Sequence, residues 1–283
     1  MKYRKIILYI LISYSLSYTL DFISYSLYST YSGYEVVMLQ MVWGFIRMYI
    51  PFIASYVVIS LYTPYSFRMK FKEYINLGNK AVVWFLTAPA LIYIPLFITI
   101  FSSKYLLTID LLQYILKPVE EFPISPDIII LITFIGGYIA ALSINSIYAL
   151  GEEVGWRGFL FEELYDRSNI IYSGVIIGLI WGFWHTPIIL LPARNMLMSL
   201  GVLALYIIWI IPVALVMNVM RLWGDSILPA ISLHGAINAL WGITNVVNYF
   251  EDFGNYVKIY LIGIFAWLLT FIVLYFLYLR YTE

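Results

Sequence analysis

Two adjacent carboxylates and an arginine, in Glu152-Glu153-Val154-Gly155-Trp156-Arg157-Gly158, follow directly on an apolar run from Ile128 to Leu150. Charged groups at the end of a membrane-grade helix are costly, and the default reading of such residues is functional. If the helix continues to about Tyr165, Glu153 and Arg157 stand one turn apart. The acid then lies N-terminal to the base, the better orientation for an ion pair. Glu152 points about 100° away around the helix and has no local cation. An unpaired carboxyl in a low-dielectric site takes up a proton readily, which is what a general base must do.

Two further groups stand on other apolar stretches. Trp181-Gly-Phe-Trp-His185-Thr-Pro187 carries an imidazole, which can accept or donate a proton near neutral pH. His234-Gly-Ala-Ile-Asn238 sets an imidazole and a carboxamide on one helix face, where both can donate to a single oxyanion. These are the only histidines in the 283 residues. Each motif also has a plainer use. The two acids can face a watery vestibule, His185 can bond a carbonyl opened by Pro187, and His234 with Asn238 can tie two helices together for about 1 kcal/mol. The combination favours chemistry over any of these alone.

The elements that must position the groups are membrane helices. Hydrophobic residues make up 63% of the chain and charged residues 11%, against roughly 25% charged in a soluble domain. A crossing needs about 20 apolar residues. That ruler gives eight spans, at about 6–24, 36–62, 80–101, 128–150, 170–191, 197–220, 226–249 and 256–279. The fold class expected is therefore all-α, a polytopic membrane bundle forming one integral domain over 1–283. No basic block suggests nucleic acid, and the absence of cysteine excludes disulfides and thiol chemistry. Residues Leu106 to Leu116 read as a short interfacial helix within an external segment at about 102–127, which also carries Pro118, Glu120 and Glu121.

Lys and Arg fall unevenly between the two sides. One side holds Lys2, Arg4, Lys5, Arg68, Lys70, Lys72, Lys80, Arg157, Arg167, Arg221 and Arg280. The other holds Lys104, Lys117, Arg194 and Lys258, and Arg47 lies inside the second span. Such an excess marks the cytoplasmic side, so both termini are expected in the cytoplasm. Counting from the helix ends, Glu152, His185 and His234 reach depths of roughly 12 to 22 Å. They can converge if the fourth helix is long and bent, at Gly136-Gly137 or at Gly151.

Glu152-Glu153-x-x-x-Arg157, the aromatic-x-x-x-His pattern ending at His185, and His234-x-x-x-Asn238 resemble the three motifs of the CPBP family of intramembrane proteases, also called the Abi domain. Its eukaryotic branch includes the type II CAAX prenyl endopeptidases. The resemblance covers about 128–245 and departs at Trp181, where phenylalanine is usual. It implies a glutamate-dependent endopeptidase acting on a membrane-associated peptide or protein substrate, prenylated or not. Glu152, assisted by His185, would deprotonate water, His234 and Asn238 would stabilise the oxyanion, and Glu153 with Arg157 would hold the motif in shape. No cofactor is favoured. Zinc on Glu152, His185 and His234 is the alternative, since three protein ligands plus water make a catalytic zinc site, although no His-Glu-x-x-His helix occurs. A non-catalytic scaffold or immunity protein and a proton-relay transporter remain as other classes. An aspartyl protease built on Asp166 and Asp225 ranks below them.

Overall fold

The computed structural model describes residues 3–28, 30–116, 123–193, 195–245 and 252–282. All regular structure among them is helical. In chain order the helices are α1 (Arg4–Tyr28), α2 (Tyr34–Tyr62), α3 (Phe67–Tyr74) and α4 (Asn79–Leu107, tightened around Pro89). Then come α5 (Leu112–Leu116), α6 (Pro126–Leu142), α7 (Ile144–Tyr165), α8 (Ile170–Trp184) and α9 (Thr186–Leu190). The chain continues through α10 (Met196–Gly224) and α11 (Leu228–Leu240) to α12 (Phe253–Thr282). Lys2, Lys117, Pro118, Glu120, Glu121, Arg194 and residues 246–249, all used in the sequence reading, lie outside the described residues.

Five helices, α1, α2, α4, α10 and α12, are long and apolar enough to cross a bilayer, and α6 with α7 makes a sixth if the bent pair is one span. The chain is an integral membrane helical bundle. Length alone does not support eight spans. α8 has 15 residues and α11 has 13, about 22 and 20 Å, against a hydrocarbon core of roughly 30 Å. α8 stops at His185 because Pro187 has no amide to offer the Phe183 carbonyl. The hydroxyls of Tyr18 and Thr186 take that carbonyl instead, each at 2.7 Å. A helix that ends inside the bundle thus has its carbonyls answered by side chains of its neighbours.

The fourth predicted span bends, but at neither expected place. α6 and α7 meet at 50° across Ser143, whose backbone leaves the helical region (φ −125°, ψ −104°). Ser146 Oγ donates to the Ala141 carbonyl at 2.5 Å, and Asn145 Nδ2 donates to the Gly235 carbonyl at 3.0 Å. Ser146 thus answers a carbonyl left open at the break, and Asn145 ties the start of α7 to α11. Gly151 has a different task, allowing α2 to approach. A Cβ there would stand 2.5 Å from the Met48 carbonyl oxygen. Gly235 does let a neighbour close in as expected, with a Cβ placed 2.8 Å from the Ala141 carbonyl oxygen. The predicted helix from Leu106 to Leu116 is instead the end of α4 and the separate α5.

α10 packs against α8, α11 and α12, while α7 packs against both α2 and α11. The site elements are therefore held from all sides. Charged residues assigned to one side of the membrane gather at one end of the bundle. Lys5 pairs with Glu163 at 2.8 Å, Lys70 with Glu162 at 2.6 Å, and Asn76 bonds Asp225 at 3.2 Å. Burial pulls the Lys70 ammonium down, but bonds to Glu162 and Glu73 outweigh it and raise it above its ordinary range. Lys104 and Asp110 pair at 2.7 Å at the far end of α4. Arg157, counted above as a loop charge, is wholly buried and drops out of that asymmetry.

Candidate active site

α7 carries Glu152 and Glu153 at the end of a regular helical stretch, followed by a π-helical turn over Val154–Leu160. Such turns are rare and occur often at functional sites. Every residue of this turn is buried. Glu153 and Arg157 form the predicted pair, Nη1 donating to Oε1 at 3.1 Å, with neither side chain exposed.

The pair is not closed on itself. Nδ1 of His234, on α11, lies 2.7 Å from the same Glu153 Oε1. A carboxylate oxygen only accepts, so His234 donates from Nδ1 and turns Nε2 away from Glu153. The resemblance implied an oxyanion role for His234 and named no partner to orient it. Glu153 is the group that orients it, because α11 packs directly on α7. The Arg157 guanidinium also lies over the Trp181 ring, 4.4 Å from its centroid.

Among the described residues Glu152 forms no ion pair, but it has two donors. The indole N–H groups of Trp156 and Trp181 both donate to Oε2, at 3.0 and 2.7 Å. Oε1 has no protein partner among the described residues. The aromatic residue at 181 is thus more than a wall. Its indole bonds Glu152, its face carries Arg157, and its ring meets His234 edge-on with centroids 5.2 Å apart. Phenylalanine can supply the last two contacts and not the first.

His185 closes α8. Its Nδ1 lies 2.8 Å from the Trp181 carbonyl oxygen, which fixes the proton on Nδ1 and leaves Nε2 as an acceptor in the neutral ring. The plainer use of His185, bonding a backbone carbonyl, is therefore present, and it sets the tautomer that a site would need. The ring packs between Trp184 and Tyr206, at 4.9 and 5.0 Å.

Glu152, His185, His234 and Asn238 line one cavity of about 190 Å³. Glu153 and Arg157 are absent from its lining and support it from behind. Asn238 is exposed, His185 half-buried, and Glu152 and His234 are buried. The competing aspartates are not gathered: Asp166 and Asp225 are exposed, and neither lines this cavity.

Among the described residues, no group of three His, Asp or Glu side chains is placed to hold a metal ion.

The sequence reading missed two ionisable residues here. Arg47, on α2, lines the cavity, and Asp21, on α1, is its partner at 2.9 Å. Both stood in view as charges inside apolar spans, the signal that had picked out Glu152. Trp43 lines the cavity as well and donates to Asp21 Oδ1 at 2.9 Å.

Residues 127–240 match the family described as Type II CAAX prenyl endopeptidase Rce1-like, as the three motifs had suggested. Over 185 residues the chain is 29% identical to a protein named CAAX prenyl protease 2 from Methanococcus maripaludis. That match takes in 63% of this chain and 59% of the relative, so the chain spans less than two thirds of the relative's length.

Proposed function

Taking residues 127–240 as an Rce1-like domain, we propose that this chain is an intramembrane endopeptidase that uses Glu152 as its general base. The observation that carries the reading is the cavity itself. A carboxylate, two imidazoles and a carboxamide from three helices meet in one space of about 190 Å³ inside a membrane bundle. That volume is below the roughly 300–1,000 Å³ of ordinary ligand pockets, which suits a scissile peptide unit whose flanking chain runs outside the cavity. The catalytic core of the proposal is 128–245.

The proposed reaction is hydrolysis. A water between Glu152 Oε1 and His185 Nε2 loses a proton to Glu152 as its oxygen attacks the scissile carbonyl carbon. His185, its Nδ1 proton held by Trp181, accepts the water's other hydrogen bond and orients it. The oxyanion is received by N–H groups of Asn238 and of His234 Nε2. Nδ1 of His234 is held by Glu153, which leaves Nε2 as the ring nitrogen that meets the oxyanion. As the C–N bond breaks, the proton on Glu152 passes to the leaving amine.

The substrate proposed is a membrane-associated peptide. A prenylated one is suggested by the description of the matching family and by the relative's name, both of which mention CAAX and prenyl. The test is cleavage of a membrane-anchored peptide by protein purified into lipid nanodiscs, with and without a strong chelator. Equal rates are expected. Activity abolished by chelation and restored by zinc would replace the metal-free mechanism with the zinc version.

We also propose that both termini face the cytoplasm, on the charge asymmetry of the loops. The chain has no cysteine, so single introduced thiols report cleanly. In intact cells, a membrane-impermeant maleimide should label Ile124→Cys and leave Arg68→Cys unlabelled until the membrane is opened. The reverse pattern would invert the topology.

A further inference from the structure

Arg47 and Asp21 take no part in the proposed reaction, yet both sit within apolar spans, where an ionisable side chain is kept only with a partner or a task. Their bonds account for most of the guanidinium. Nε spans both carboxylate oxygens of Asp21, at 2.9 and 3.1 Å, and Nη2 donates to the Trp184 carbonyl at 2.8 Å. The Trp184 ring lies against one face, 3.5 Å from the guanidinium carbon. Nη1 has no protein partner among the described residues. The side chain is only 4% exposed, and it lines the same cavity as Glu152, His185, His234 and Asn238. A planar group fixed at two nitrogens and on one face cannot swing away, so Nη1 is a pre-positioned donor in a site built for a peptide.

We propose that Arg47 is a substrate-binding residue, donating from Nη1 to a backbone carbonyl oxygen of the bound peptide, and that Asp21 positions it. This inference rests on the endopeptidase reading. Charge decides between a carbonyl and a free carboxylate. Asp21 already matches the arginine, and Glu152 stands in the same cavity. A ligand carboxylate would add a further negative group beside Asp21 and Glu152 in a low-dielectric space, whereas a carbonyl adds no charge. The bond to the Trp184 carbonyl leaves a rival role for Arg47, that of merely holding the end of α8 and with it His185. The two roles affect kinetics differently. Loss of a peptide contact weakens binding, while displacement of His185 lowers turnover.

The experiment uses full-length protein in lipid nanodiscs and a fluorescent, membrane-anchored peptide that the wild type cleaves. Initial rates are measured for wild type, Arg47→Gln, Arg47→Lys and Asp21→Asn. Binding of the same peptide is measured in a Glu152→Gln background, which retains but does not process it. Arg47→Gln is expected to raise KM and weaken binding about tenfold or more, the size of a lost bond to a charged donor, with kcat within about threefold. Arg47→Lys keeps a cation for Asp21 but cannot reach the Trp184 carbonyl and the cavity together. It should fold like the wild type and still raise KM, so it carries the test if Arg47→Gln is unstable. Asp21→Asn should raise KM by a smaller factor. Unchanged KM and binding in both Arg47 variants, or a fall in kcat alone, would overturn the substrate role while leaving the endopeptidase reading standing. A wild type that neither cleaves nor binds the peptide would overturn both.

Discussion

Replacing Glu152 by glutamine is expected to lower turnover by about 10²–10⁴-fold, the contribution of a positioned acid–base group, in a protein that folds and melts like the wild type. Glutamine has the size of glutamate and keeps a side-chain oxygen, so it can still accept from the indoles of Trp156 and Trp181. It cannot take a proton from water. The same substitution at Glu153 would act differently, because Glu153 is 0% exposed, lies outside the cavity lining, and serves Arg157 and His234. The comparison is made by progress curves and thermal unfolding on the same preparations. A Glu152→Gln enzyme within about threefold of wild-type kcat would remove Glu152 from the chemistry.

Arg157→Met should be the most destabilising single change in the site, costing about 3–5 kcal/mol, the usual penalty for orphaning a buried charge. Arg157 and Glu153 are both 0% exposed, and removing the guanidinium leaves two adjacent carboxylates with only His234 nearby. The stack on Trp181 is lost as well. Restoring neutrality tests the cause. Glu153→Gln combined with Arg157→Met should recover part of the lost stability, giving a coupling well beyond additive. Unfolding of detergent-solubilised protein measures both. If the double variant is no more stable than the single one, the cost comes from packing and not from charge.

The sequence disclosed the site better than its scaffolding. Periodicity alone paired Glu153 with Arg157, and two histidines in apolar helices could be paired with Glu152 because polar groups at that depth need partners. The turn that joins them was hidden. The break at Ser143 depends on Ser146 and Asn145 finding carbonyls on their own and a neighbouring helix, which no local pattern announces, whereas the glycines that looked like hinges serve close approach. The shortness of α8 was hidden for a related reason. Hydropathy registers apolar residues but not a helix end whose carbonyls are met by Tyr18 and Arg47 from other helices. The donors to Glu152 were partly legible, since Trp156 stands four residues on. Only a cation was sought there, and an indole donor was overlooked.

Arg47 teaches the converse. It belongs to neither side of the membrane, and that placement is itself the signal. A charge that fits no loop belongs to the interior, and here it lines the cavity, paired with Asp21.

The central claim is that one cavity hydrolyses peptides within the membrane by means of Glu152. Its most direct test is mass spectrometry of a membrane-anchored peptide incubated with purified wild type and with Glu152→Gln in otherwise identical nanodiscs. A discrete cleavage product is expected with the wild type and at most a trace with the variant. Equal product from both, or product from neither across a panel of prenylated and unprenylated peptides, would contradict it.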